Sequence, residues 1–181
     1  MNIVDIAADS DDFDILVSAL TTAELADTVR NADDITVFAP TDAAFAALAA
    51  DLGYDGDPAD EGAVFSFIAT ALTDLGGGDP IPLLTDILTY HVSPGAKTQA
   101  EIEALDTVPT LQGTAITPEA GALVDAEPDL ADPTIASADI AADNGTIQAV
   151  DRVLLPLDIP GNTNIVDIAA DSDDFDILVS A

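Results

Sequence analysis

Residues 2–19 read NIVDIAADSDDFDILVSA, and residues 164–181 repeat that string without a change, so Asn2 recurs as Asn164 after a period of 162 residues. An internal repeat marks the unit that folds. The chain therefore reads as one whole domain over residues 1–160, with residues 161–181 as the end of a linker and the first helices of a following, truncated repeat. A unit cut from a tandem array leans toward display or adhesion rather than a free-standing enzyme. The segment PLDIPGN, Pro156 to Asn162, is short and proline-stiffened, which predicts close-set beads.

A chain of 181 residues is long enough to bury one sizeable core. That core must be built of Ala, Ile, Leu and Val, because the sequence holds six Phe, two Tyr and no Trp. No window has the ~18 uncharged apolar residues of a membrane span, and the start lacks the basic and apolar run of a secretory signal. Any export signal would lie outside this segment. The absence of cysteine means that no disulfide supports the fold.

Charge excludes more. Thirty-five acidic residues stand against Arg30, Lys97 and Arg152, a net charge of −32. Nucleic acid is ruled out as a partner because phosphate binding needs Lys and Arg to release counterions. Anionic lipid surfaces need a basic cluster that is equally missing. Such a surface suits a salt-rich, halophilic or marine setting, where screening shortens the Debye length to ~3 Å at 1 M. Bound calcium would do similar work locally.

Helical spacing runs through Ile3, Ile6 and Ala7 and again through Phe13, Leu16, Val17 and Leu20, predicting two short helices broken at Asp9 to Asp11. Thr21 with Glu24 reads as a capping box opening a third helix that carries Leu25 and Val29 and stops near Asn31. A β-rich run, ITVFAP at Ile35 to Pro40, follows; Thr41 then caps a helix whose Phe45, Leu48, Ala49 and Leu52 share a face. Past a Gly/Asp-rich loop, Val64, Phe67, Ile68, Ala71 and Leu75 mark a helix stopped by Gly76 to Gly78. Leu84, Ile87 and Leu88 mark one more. After His91 come short β-like runs: Val108–Leu111, Thr114–Thr117, Ala122–Val124, Thr134–Ala136, Thr146–Val150 and Val153–Leu155. Asn144-Gly145 is the strongest hairpin signal. Helices first and strands later predict an α+β domain, with helices over two mostly antiparallel sheets.

Three strings, TVFAPTDAAFAAL at Thr36 to Leu48, ILTYHV at Ile87 to Val92 and NGTIQAVDRVLLP at Asn144 to Pro156, together resemble the fasciclin domain family over residues 2–156. The acidity suggests a bacterial or archaeal member. The resemblance implies a wedge of two β-sheets with a helical cap, and an extracellular, often tandem module associated with adhesion and matrix contact rather than catalysis. The family-motif residues are Thr36, Phe38, Pro40, Thr41, Phe45, Tyr90, His91, Asn144, Gly145, Asp151 and Pro156, with a mainly structural role. Two departures are the acidity and an enlarged Gly/Asp-rich loop with extra helix between Leu52 and Pro82. No string matching the integrin contacts of animal members is visible.

No catalytic residue is assigned. His91 lacks the second His, Cys or nucleophile that catalysis or a metal centre would require, and reads as a packed ring bonded to a buried polar group. The sequence contains no GxSxG, HExxH, P-loop or dinucleotide fingerprint. Asp55, Asp57, Asp60 and Glu61 are the best calcium candidates, although they lack EF-hand register, and a solvated acidic loop is the plainer reading. No other cofactor is called for.

The leading expectation is a non-enzymatic extracellular module of a surface-attached or secreted tandem-repeat protein, contributing to a biofilm or matrix. Its partner is a cell-surface, glycan or matrix ligand, or neighbouring repeats, with no membrane insertion. Two alternatives stay open. Asn164 to Ala181 can dock as the first helices of a neighbouring molecule, a head-to-tail exchange that builds filaments; or the domain is a calcium-dependent or small-molecule binder using a cleft near the helical cap.

Overall fold

The computed structural model describes residues 1–128 and 130–158. The duplicated segment 164–181, and with it the exchange reading, lies outside the described residues. Three short helices open the chain: α1 (Ile3–Ala8), α2 (Asp14–Thr22) and α3 (Ala26–Asn31). Strand β1 (Ile35–Pro40) leads into α4 (Asp42–Asp51), α5 (Glu61–Leu75) and α6 (Ile81–Tyr90). Then come β2 (Val92–Pro94), α7 (Gln99–Glu103), β3 (Thr117–Glu119), β4 (Ala122–Val124), β5 (Ile135–Ala142) and β6 (Gly145–Val150). This is the α+β arrangement expected of the sequence.

Caps explain most helix starts. The side chains of Asn2, Thr41 and Asp60 accept from Asp5 N, Ala44 N and Ala63 N, so α1, α4 and α5 each begin on a satisfied donor. The break after α1 is held from a distance, because the Asp42 carboxylate accepts from Ile15 N at 2.9 Å and Asp14 N at 3.3 Å at the start of α2.

The capping box expected at Thr21 and Glu24 is not formed. The apolar stripe Ile15, Leu16, Ala19 and Leu20 carries α2 on through Thr22, and the Thr21 hydroxyl donates back to Val17 O at 2.8 Å. Glu24 then sits at φ 58°, and α3 starts without a side-chain cap. A true capping box joins Thr98 and Glu101 at α7, a helix of five residues too short to show a period in the sequence.

The four-stranded sheet has the order β2-β1-β6-β5. Its outer pairings are antiparallel, but β1 and β6 run parallel, from Ile35 opposite Gly145 to Pro40 opposite Val150. β3 and β4 form a second, antiparallel sheet. Every residue of β1 is buried, as the central strand of a sheet covered on both faces must be. Ile35, Val37, Ala39, Ile147 and Ala149 face the core shared with the helices. Phe38 and Val150 face a second cluster with Tyr90, Ile102, Val108, Ile116, Leu123 and Leu154.

Three β expectations change. Val108–Leu111 and Thr114–Thr117 shrink to a single bridge between Val108 and Ile116, with the strand itself at Thr117–Glu119. Val153–Leu155 is buried but joins no ladder, because Leu154 N donates to His91 Nε2 and Leu155 N to Asp125 Oδ2. The hairpin forms with Ala142 opposite Gly145, so Asp143 and Asn144 make the turn and Gly145 is the first residue of β6.

Candidate functional site

The family-motif residues occupy seams between elements rather than a cleft. Thr36, Phe38 and Pro40 lie on buried β1, Thr41 caps α4, and Phe45 is in the helical core. Thr36 Oγ1 donates to Gly95 O and accepts from Lys97 N, closing the turn after β2. Asp151 accepts from both Thr134 N and Thr134 Oγ1 at 2.7 Å. Asn144 Oδ1 accepts from Ile3 N, while its Nδ2 donates to Val29 O and Ala32 O, all at 2.9 Å. One amide thereby ties the start of α1 and the end of α3 to the β5–β6 turn. Pro156 is half-buried at the exit of the domain.

His91 caps the C-terminus of α6 and is 2% exposed. Nδ1–H donates to Ile87 O at 2.7 Å and Nε2 accepts from Leu154 N at 2.9 Å, which defines the neutral tautomer. Burial pulls its pKa down to about 4. The ring is a pin between α6 and the 153–155 strap, with neither nitrogen free for a substrate or a metal.

Burial makes the folded protein favour the neutral ring, so the contribution of His91 is complete above pH 6.5 and is lost as pH falls through 4. That shift is worth about 3 kcal/mol. Asp125 has the opposite sign: its carboxyl, raised to about 6 chiefly by burial, favours the fold in acid and loses that contribution as pH rises through 6. A difference measurement separates the two. His91→Ala is expected to cost most at pH 7, and by pH 4 its cost relative to the parent shrinks by about 3 kcal/mol. Urea unfolding of both proteins across that range checks it; a pH-independent difference contradicts the neutral pin.

Tyr90 is fully buried, and its hydroxyl makes no hydrogen bond. The nearby amide of Ala126 donates instead to Leu155 O at 3.1 Å. Burial, and then the charge of Asp125, push the phenol well above its ordinary range. Asp125 accepts from Leu155 N at 2.8 Å and Glu127 N at 2.9 Å. Nothing in the local sequence distinguishes Asp125 from the acids around it. This seam ties the 125–127 loop to the 153–155 strap.

Of the four calcium candidates, Asp57 accepts from Ala59 N within its own loop, Asp60 caps α5, and Asp55 is exposed. Only Glu61 is gathered with other acids: its partners are Asp14 and Asp42, their carboxylate oxygens lying within 4.8 Å of one another. Glu61 has its pKa raised by local desolvation and then by Asp42, Asp14, Asp11 and Asp60. Asp42, raised chiefly by burial, already accepts two backbone N–H groups. The trio supplies hard oxygen donors of the type calcium takes, though fewer free ones than its six to eight. The signal in sequence was faint, since Asp42 looks like an ordinary first-turn acid. Beside the trio opens a groove of about 620 Å³ between α4 and the following loop. No helix among the described residues is long and apolar enough to cross a membrane.

The class that emerges is an α+β domain, helices packed on a four-stranded sheet, whose buried polar side chains stitch its own elements. The chain matches the Fasciclin domain family over residues 11–156, and it belongs to that family. It is 35% identical over 154 residues to uncharacterized protein sll1735 of Synechocystis sp., covering 85% of this chain and 97% of that protein. Protein sll1483 of Synechocystis sp. is 36% identical over 156 residues, covering 86% of this chain and 74% of the relative. The fold is also similar to part of a FAS1 domain pair from the insect cell adhesion molecule fasciclin I. That match has a TM-score of 0.62 at 16% identity and covers 86% of this chain but 51% of the pair.

Proposed function

We propose that this chain is a non-enzymatic, extracellular adhesion module, residues 1 to about 160 forming one bead of a tandem array in a surface or secreted protein. The observation that carries the reading is the recurrence of residues 2–19 at 164–181 in a fasciclin-family chain. The similarity of the fold to a domain pair from a cell adhesion molecule supports it. So does the engagement within the domain of the polar groups of Thr36, Thr41, His91, Asn144 and Asp151, which gives them structural work.

The charge fits exposure to salt. Arg30 pairs with Asp27 and Asp5, Arg152 with Asp51, and Lys97 bonds Ser93 and the Pro94 and Gly95 carbonyls. Every cationic side chain is thus held internally, and the surface presents carboxylates outward. Adhesion through many weak contacts then depends on repetition, which raises avidity by ~10² to 10⁴ without new contacts.

Chains of one, two and four units, passed over a surface coated with matrix polysaccharide and over one coated with the array itself, test this. Retention is expected to rise steeply with unit number on at least one surface. Equal retention of one unit and four on both contradicts the proposal.

A further inference from the structure

The chain places an acid at 35 of its 181 positions, yet α4 carries none between Asp42 and Asp51. Its inner face is a core stripe of Ala44, Phe45, Leu48 and Ala49. Its outer face, where a surface helix normally carries polar residues, is alanine again. Ala43, Ala46 and Ala47, at i, i+3 and i+4, floor the 620 Å³ groove, and Pro58 and Ala59 form its wall. A floor with no side chain beyond Cβ lets another backbone come close, near the ~8 Å lower limit of helix–helix packing.

The rim has the opposite character. Asp42 and Glu61 line the groove, Asp14 joins them within 4.8 Å, and Asp55, Asp57 and Asp60 are exposed along the loop. The ion pairs of Arg30 and Arg152 are with Asp5, Asp27 and Asp51, away from this trio. Lys97 is held at the β2 turn. Negative potential at the groove is therefore uncompensated by the chain itself.

We propose that the α4 groove docks a cationic amphipathic helix of a partner protein, small apolar residues seated on the alanines and Lys or Arg on the acidic rim. This names the partner chemistry of the adhesion module and rests on that reading. A second copy of the chain does not fit, because each copy carries −32 and its three cations are already engaged. A divalent ion satisfies the rim but leaves the apolar floor bare, and an uncharged apolar ligand does the reverse. Complementary charge steers the encounter, and the floor sets the discrimination.

The test uses the full chain and a synthetic 18-residue Lys/Leu/Ala helix. A scrambled peptide of the same composition and charge, without an apolar face, is the control; binding is followed by fluorescence anisotropy at 0.15 M salt. The amphipathic peptide is expected to bind at least about tenfold tighter than the scrambled one. Filling the floor without changing charge, Ala43→Gln with Ala46→Gln, is expected to remove that advantage at an unchanged melting temperature. Glu61→Gln weakens binding while leaving the floor intact, and Glu103→Gln, beside a different recess, leaves it unaltered.

Equal affinity for both peptides, or indifference to the filled floor, means attraction by net charge alone and overturns the proposal. If the floor variants unfold, Glu61→Gln against Glu103→Gln decides it, and equal effects of those two count against the groove. Array retention that survives with no groove selectivity defeats this inference and leaves adhesion standing. Loss of the array advantage with groove selectivity intact does the reverse.

Discussion

Gly145→Ala is expected to be among the most destabilising single-methyl changes in this protein, costing about 3 kcal/mol or more, the upper end for overpacking a filled core. Gly145 opens β6 opposite Ile35 in the central parallel pair. A Cβ there would lie 2.0 Å from Ile35 O, 2.9 Å from its carbonyl carbon and 3.1 Å from its nitrogen. All three are backbone atoms, so no side chain can rotate away. Nor can β1 retreat, since Ile35 is also paired with Pro94 of β2 on the other side and is buried. Gly53→Ala is the comparison: its φ of +99° also disfavours a side chain, but nothing lies within 4 Å of the new atom. That variant should cost only backbone strain, on the order of 1–2 kcal/mol. Urea unfolding of both at matched salt checks the difference; similar costs would mean that conformation, not the close approach to β1, demands glycine at 145.

The second large effect belongs to the neighbouring residue. Asn144→Ala strands Ile3 N–H, Val29 C=O and Ala32 C=O, each of which now has a 2.9 Å partner. An unsatisfied buried group costs about 1–3 kcal/mol, and three that share one side chain do not add simply, so about 3 kcal/mol is expected in all. Asn144→Asp separates hydrogen bonding from size. It keeps an acceptor for Ile3 N but turns a carboxylate toward two carbonyl oxygens. Its folded-state pKa must then rise, so the variant is stabilised in acid and loses that contribution as pH increases through the raised value. Hydrogen exchange at Ile3, with unfolding curves at pH 4 and 7, reads both consequences. An Asn144→Asp protein whose stability relative to the parent is the same at both pH values would show that the two carbonyls are not what the amide serves.

Asn144 also holds α1, whose sequence is the part that recurs at the other end of the chain. Under the proposed tandem arrangement, this lock is what would keep each unit's opening segment in its own domain.

Features set within a few residues were legible. The apolar spacing of α2 and α4, the cap at Thr41, the β run at Ile35–Pro40 and the hairpin between β5 and β6 depend on neighbours along the chain, and they formed. The two Thr-x-x-Glu strings show where such reading stops. Thr21 and Glu24 carry the same local signal as Thr98 and Glu101, but only the latter cap a helix, because the buried face of α2 extends that helix past Thr21.

By itself, then, the sequence determined most of the longer helices, the β1 run, the family motifs, the duplicated segment and the overwhelming negative charge, all properties of residues close together or simply summed. Tertiary structure alone decided that β1 and β6 run side by side in parallel, and that Val153–Leu155 bonds side chains instead of a strand. It also chose which acids meet, bringing Asp14, Asp42 and Glu61 to one rim beside an uncharged helix face. The reason is physical: a hydrogen-bonded turn acts over about four residues. The meeting of distant groups is instead a consequence of how whole elements pack to bury their apolar faces.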